Sequence, residues 1–289
     1  MSNISGKVGI VTGGTSGFGL AITRHLLYKG AKVSIFSVDD LRNESVVSLV
    51  NQYKGRVMVN NLDITEKNSS ELMVQKTITR FGKLNFLIVN AGFAIRFEKP
   101  FPDLSNNQLY ESLEIQFKLF PIALATLAHA ASVYLIEEYK NPKRDKNGHL
   151  MESGSIIVTL SEAALLPLRD DLIAYAAAKK AALSVMQTLS GIFGEKNIRV
   201  NGIAPGFANT AGPKKFYSRY PQIKDYIDSK THLKPSFMSP ESIIPAVEYL
   251  MNDNYVTGQV ITLDGGFSNE IQSYFQKSSI FNRETKNSI

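Results

Sequence analysis

The apolar run Lys7-Val-Gly-Ile-Val-Thr12 leads without a break into Gly13-Gly14-Thr15-Ser16-Gly17-Phe18-Gly19. Beyond this turn, Leu20, Ile22, Leu26 and Leu27 mark one face of a helix that stops at Gly30. A short buried strand, a glycine-rich turn and a helix, in that order, leave few architectures open. Glycines let the backbone approach a ligand, and the helix N-terminus presents free N–H groups to a pyrophosphate. A plain tight turn is the competing reading, and the flanking elements favour the phosphate site.

The same alternation continues along the chain. Strands are expected at 31–36, 56–62, 84–89, 154–160, 198–204 and 256–263, with helices at 41–54, 66–81, 106–139 and 174–193. In the 66–81 helix Leu72, Val74 and Ile78 are expected to face inward, and Pro121 is expected to bend the 106–139 helix or to mark its second turn. The pattern predicts an α/β fold with a doubly wound parallel sheet of about seven strands and helices on both faces. Residues 1–270 read as one domain. Within it 137–153 reads as a polar insertion loop and 207–238 as an irregular lid, and a polar tail follows at 271–289.

Composition narrows the chemistry. The chain has 289 residues and no cysteine, which excludes disulfides, thiolate catalysis and cysteine-based metal sites. His25, His129, His149 and His232 are scattered without metal-ligand spacing, so no metal is expected. The net charge of +6 is dispersed, against a nucleic-acid face. The Lys140, Lys143, Arg144 and Lys146 cluster fits a solvated insertion. No secretory segment opens the chain, and the longest apolar runs are read as shorter than the roughly 20 residues a membrane helix needs. A cytoplasmic enzyme without a membrane contact is expected. Helical stripes in 108–136 and 173–193 suggest a homodimer or homotetramer.

Tyr175 and Lys179 lie four residues apart, on one helix face. A nearby ammonium favours the phenolate, so the phenol pKa is expected to fall toward neutrality, where Tyr175 can exchange a proton. Ser161 stands upstream, at the C-terminal edge of the 154–160 strand, where open α/β sheets bind ligands. The position after the second strand holds Ser37, followed by Val38, Asp39 and Asp40, with Arg42 the nearby cation. Two carboxylates there would repel a 2′-phosphate, which tips the expectation between NAD and NADP toward NAD.

These landmarks together resemble the single-domain short-chain dehydrogenases/reductases, with their Rossmann fold, from about Lys7 to Phe267. The matching pieces are Thr12 to Gly19, Asp63, Asn90-Ala91-Gly92, Ser161, Tyr175-x-x-x-Lys179, Asn201 with Pro205-Gly206-x-x-x-Thr210, and Thr257-Gly-Gln with Asp264-Gly-Gly. The resemblance implies an NAD(P)-dependent oxidoreductase that interconverts a secondary alcohol and a ketone. It implies that Gly13, Thr15, Ser16, Gly17, Phe18 and Gly19 hold the pyrophosphate, with Ser37 at the ribose. Asp63 and Ile64 would take the adenine, and Asn90, Ala91 and Gly92 the middle of the cofactor. Pro205, Gly206, Ala208 and Thr210 would support the carboxamide side. Tyr175 would be the general acid/base, Ser161 would orient the substrate oxygen, and Lys179 would hold the nicotinamide ribose.

Three features depart from the family pattern. Gln116 stands where the family carries asparagine, whose backbone carbonyl supports a water in the proton relay; glutamine keeps that carbonyl. The interval from Ser161 to Tyr175 is one residue longer than usual, and the 137–153 segment is an addition. Topology puts the substrate wall at Phe93, Ile95, Phe97, Glu162, Leu165, Leu168, Leu172 and Phe207, mostly apolar, each with core packing as its bland alternative. The competing functional readings are a dinucleotide-binding regulator and a non-redox isomerase or cyclase on the same fold.

Overall fold

Seven parallel strands form one sheet in the order β3-β2-β1-β4-β5-β6-β7. They are β1 (Val8–Thr12), β2 (Lys32–Ser37), β3 (Val57–Asn61), β4 (Phe86–Val89), β5 (Gly154–Thr159), β6 (Ile198–Pro205) and β7 (Val260–Leu263). The chain order reverses across the sheet between β1 and β4, so the crevice at their C-terminal ends is the topological switch point. The protein is seen here as a computed structural model, which describes residues 4–166 and 170–269. Leu168 and the 271–289 tail lie outside the described residues.

Successive strand residues bury themselves on opposite faces. Ile10, Leu87, Ile156 and Val200 pack against α3 (Ser69–Phe81), α5 (Ala123–Tyr139) and α6 (Ile173–Gly194). Val11, Ile88, Ile157 and Ile203 pack against α1 (Gly17–Tyr28), α2 (Glu44–Gln52) and α9 (Ile244–Asn252). Full burial of each such side chain stabilises the fold by about 2 kcal/mol. With both faces covered, the strands read as continuous apolar runs rather than as alternating ones.

Four sequence expectations need correction. In α3 Leu72 is 40% exposed, and Met73 takes the inward place beside Val74. The period of 3.6 allows one apolar neighbour inward at that point, not both. The 207–238 segment is not irregular: it carries α7 (Ala211–Arg219) and α8 (Pro221–Lys230), with Pro221 opening the second helix. Its neck is closed by Asn209 N donating to the Met238 carbonyl and Met238 N to the Phe207 carbonyl, each at 2.9 Å. The third concerns length, because Asn106–Tyr139 is one helical run of 34 residues, apolar enough by length and composition to cross a membrane. Half of its most apolar stretch is buried inside the fold, where Leu124, Leu127 and Leu135 join the core.

The last correction is to the way Pro121 acts. Rather than a simple bend, α4 (Asn106–Phe117) passes into α5 through a π-helical segment, Lys118–Ile122, that contains Pro121. Proline brings no N–H, so the hydrogen-bond ladder slips by one residue. This segment buries Leu119 and Phe120, and the Phe120 ring reaches the site described next.

Candidate active site

A cleft of about 1490 Å³ runs along the C-terminal edge of the sheet, from Phe36 and Asp63 at one end to Phe207 and Tyr226 at the other. Its floor is braced by side chains that the strands deliver. Thr12 Oγ1 accepts from the backbone N–H groups of Asn90 and Ala91, both at 3.0 Å. Asn90 Nδ2 donates to the Thr12 and Gly13 carbonyls, and its Oδ1 accepts from Thr159 Oγ1 at 3.1 Å. The Asn90 side chain thus ties β1, β4 and β5 together.

The glycine turn is built to sit close to something. Gly13 has φ +64°, and a Cβ there would lie 2.9 Å from Ala91 Cα. A Cβ on Gly19 would fall 2.0 Å from the Gly13 carbonyl oxygen, so only glycine lets α1 start against the turn. Gly13, Ser16, Gly17 and Phe18 line the cleft, whereas Thr15 and Gly19 lie behind it. Thr15 Oγ1 instead donates to Asp39 Oδ2 at 2.6 Å and lies 2.7 Å from Ser37 Oγ, and both partners line the cleft. Asp63 Oδ1 accepts from the N–H and hydroxyl of Thr65, each at 2.8 Å, which holds it and Ile64 at the rim. Gly92, Pro205, Gly206, Ala208 and Thr210 line the middle of the same cleft. A glycine cradle at a helix N-terminus, continuous with fixed carboxylates, fits a dinucleotide.

Ser161, Tyr175 and Lys179 meet at the centre. Lys179 is 4% exposed; its Nζ donates to the Thr159 carbonyl at 2.8 Å and lies 3.8 Å from the Phe120 ring centroid. Burial lowers its pKa to about 7, opposed in part by Glu162. The Phe120 ring also packs edge-on to Tyr175, with centroids 5.5 Å apart. Ser161 lies within electrostatic reach of the Tyr175 hydroxyl. Its pKa moves the opposite way from the sequence expectation, upward. Burial is the largest cause and Glu162 adds to it, while Ser161 and Arg96 pull less strongly the other way. The ammonium that was expected to lower it is turned toward Thr159 and Phe120. Tyr175 therefore stands as a neutral acid at pH 7.

The substrate-wall residues divide. Phe93, Glu162, Leu172 and Phe207 line the cleft. Ile95, Phe97 and Leu165 do not; Ala94 and Arg96 face it instead, and Leu165 packs on the core. Gln116 is fully buried and also off the cleft; its Nε2 donates to the Phe93 carbonyl at 3.2 Å.

Sequence reasoning missed Arg96 and Asp171. Arg96 Nη1 donates to Asp171 Oδ2 at 2.7 Å, and the guanidinium carbon lies 4.2 Å from the Phe216 ring centroid. The signal was an arginine set between Ile95 and Phe97 in the apolar-rich loop after Asn90-Ala91-Gly92. The lid brings Phe216, Tyr217 and Ile227 over this end, and Phe207 stacks edge-on with Phe267 at 4.9 Å.

With that geometry in view, the likeness to known proteins is specific. Residues 13–268 match the family model described as Enoyl-(Acyl carrier protein) reductase. The chain belongs to the short-chain dehydrogenase/reductase family, and it is an NAD(P)-dependent oxidoreductase. It is 29% identical over 269 residues to short-chain dehydrogenase reductase 3a of Arabidopsis thaliana, covering 92% of this chain and 96% of that one. It is 27% identical to the 7alpha-hydroxysteroid dehydrogenase of Escherichia coli (strain K12), covering 93% and 96%. Its fold superposes with a TM-score of 0.76 on L-sorbose reductase from Gluconobacter frateurii, solved with NADPH and L-sorbose. That pair is 25% identical and covers 92% and 98% of the two chains.

Proposed function

We propose that the protein interconverts a secondary alcohol and a ketone on a largely apolar small molecule, with Tyr175 as general acid/base. The observation that carries this reading is the convergence of Ser161, Tyr175 and Lys179 beside a glycine-cradled cleft. A nicotinamide held in this cleft would supply or accept the hydride. In reduction Tyr175 Oη gives a proton to the substrate oxygen, and Ser161 Oγ hydrogen-bonds that oxygen and holds it in line. In oxidation the proton returns to Tyr175. Lys179, buried next to Tyr175, holds the ribose. The Gln116 backbone carbonyl supports a water that resupplies the proton. Phe93, Leu172, Phe207, Phe216 and Ile227 make the wall apolar.

NAD is the preferred cofactor. Asp39, fixed by Thr15, puts a carboxylate where a 2′-hydroxyl would be bound and a 2′-phosphate repelled. Arg42 offers no counter-charge, because its guanidinium is 90% exposed and paired twice with Asp40. Fluorescence titration should show NADH binding at least about tenfold tighter than NADPH, and Asp39→Ala should narrow the gap.

The test of the reaction follows nicotinamide absorbance with a panel of apolar cyclic ketones, secondary alcohols and an enoyl thioester. Turnover of a ketone or alcohol, lost in Tyr175→Phe while NADH still binds, is the expected result. Undiminished turnover by Tyr175→Phe would sink the assignment. Turnover of the enoyl compound alone would move the reaction to a carbon–carbon double bond.

A further inference from the structure

Beside the proposed reaction centre lies a second titratable group with no place in the mechanism above. Glu162 follows Ser161 directly, lines the cleft and is 7% exposed. Ser161 Oγ accepts from Ala163 N at 3.2 Å and donates to Glu162 Oε2 at 3.1 Å. A hydroxyl has one hydrogen to donate. The one that Ser161 needs for a substrate carbonyl is, in this arrangement, directed into a neighbouring carboxylate.

We propose that Glu162 is a positioning residue whose gain or loss of a proton decides whether the Ser161 hydroxyl donates into the protein or toward the substrate oxygen. This rests on the reading of Ser161 as the group that orients that oxygen. Ionised, Glu162 can only accept, so it captures the Ser161 hydrogen. The serine lone pair that Ala163 N–H does not use is then left to receive a substrate hydroxyl, which suits oxidation of an alcohol. Protonated, Glu162 donates to Ser161 Oγ, and the serine hydrogen turns to a carbonyl oxygen, which suits reduction of a ketone. The only net event is exchange of one proton between Glu162 and solvent.

The charged and titratable groups around Glu162 come from four elements. Arg96, after β4, favours the ionised carboxylate, and Asp264, after β7, opposes it. Tyr175 and Lys179 on α6 and Tyr217 on α7 also sense its charge. Burial outweighs them all and raises Glu162 to about 7, so both protonation states are populated near neutrality.

Infrared spectra test this without turnover. Across roughly pH 5 to 9, the wild-type protein should show a buried carboxylic C=O band that fades as pH rises through the neutral range. The band should be absent from Glu162→Gln, and in Ser161→Ala, where its hydrogen-bond partner is gone, it should shift. Kinetics add the second arm. Wild-type kcat/KM for ketone reduction should fall by up to about tenfold per pH unit above the midpoint of the band. Glu162→Gln should lose that fall, because an amide can donate to Ser161 at every pH. Circular dichroism and NADH binding establish that both variants are folded. A band that does not titrate in this range, a band unmoved in Ser161→Ala, or a Glu162→Gln profile identical to wild type would each overturn the proposal. Full turnover by Tyr175→Phe would instead overturn the assigned reaction and leave the infrared result standing.

Discussion

The two edges of the sheet treat buried charge in opposite ways. At the N-terminal edge, Arg199 at the start of β6 is 4% exposed, yet its guanidinium is enclosed by acceptors. It donates to Ser153 Oγ at 2.7 Å and to the Leu250 and Met251 carbonyls at 2.5 and 3.4 Å, closing the C-terminus of α9. Asn85, also there, accepts from Val8 N at 2.8 Å and donates to Glu138 and Tyr139. At the C-terminal edge, Lys179 has one hydrogen-bond acceptor among the described residues, and Glu162 shares a single serine proton. Burial shifts pKa values at both edges: Arg199 falls to about 10, Lys179 to about 7, and Glu162 rises to about 7. Saturated partners keep the first group charged and structural. Scarce partners leave the other two poised near neutrality, which is the condition for proton transfer.

The largest expected effect lies at the C-terminal edge. Tyr175→Phe should cut turnover by about a thousandfold or more without altering the melting temperature by more than a few degrees, read by absorbance kinetics and calorimetry. At the other edge the loss should fall on stability alone. Arg199→Met strands the Leu250 carbonyl and Ser153, and urea unfolding should show a loss of about 3 kcal/mol with NADH affinity retained. A variant that loses cofactor affinity in proportion to stability would erase the contrast between the edges.

Gly19→Ala should come next, with at least about tenfold weaker NADH binding, since its Cβ must displace the Gly13 carbonyl. Titration of the poised pair should also be visible, in the pH dependence of stability. Glu162 is raised from its ordinary 4.5 to about 7, so in that window the folded state keeps a proton that the unfolded state has released. Its contribution is complete below 4.5 and fades as pH rises to about 7, by roughly 1 kcal/mol per unit. Lys179 is lowered from 10.5 to about 7, so its contribution is complete above 10.5 and fades as pH falls to about 7. Chemical denaturation across this range should lose the acidic limb in Glu162→Gln and the basic limb in Lys179→Met. Smallest of all, Arg219→Ala breaks a 3.2 Å pair with Glu98, both partners more than half exposed, and should cost about 0.5 kcal/mol or less in urea unfolding.

Local chemistry was legible wherever it repeats with a fixed period or requires a unique residue. Glycine at 13 and 19 marked the turn, and the strand runs marked a sheet buried on both faces. Tyr175 and Lys179 declared their shared helix face by spacing. The lid helices were missed because 211–230 has a polar, lysine-rich composition whose helical form rests on Pro221 and on a neck closed by Met238. Arg96 was missed because its partner Asp171 stands 75 residues away.

The sequence by itself determined the layered sheet, the glycine cradle and the shared helix face of Tyr175 and Lys179, since periodicity and backbone freedom are properties of neighbouring residues. Only the tertiary structure decided how those side chains are charged. It turned the Lys179 ammonium onto a carbonyl and an aromatic ring, and it placed Glu162 against Ser161 out of water. Desolvation and charge depend on everything packed around a group, and that packing is drawn from segments remote in the chain.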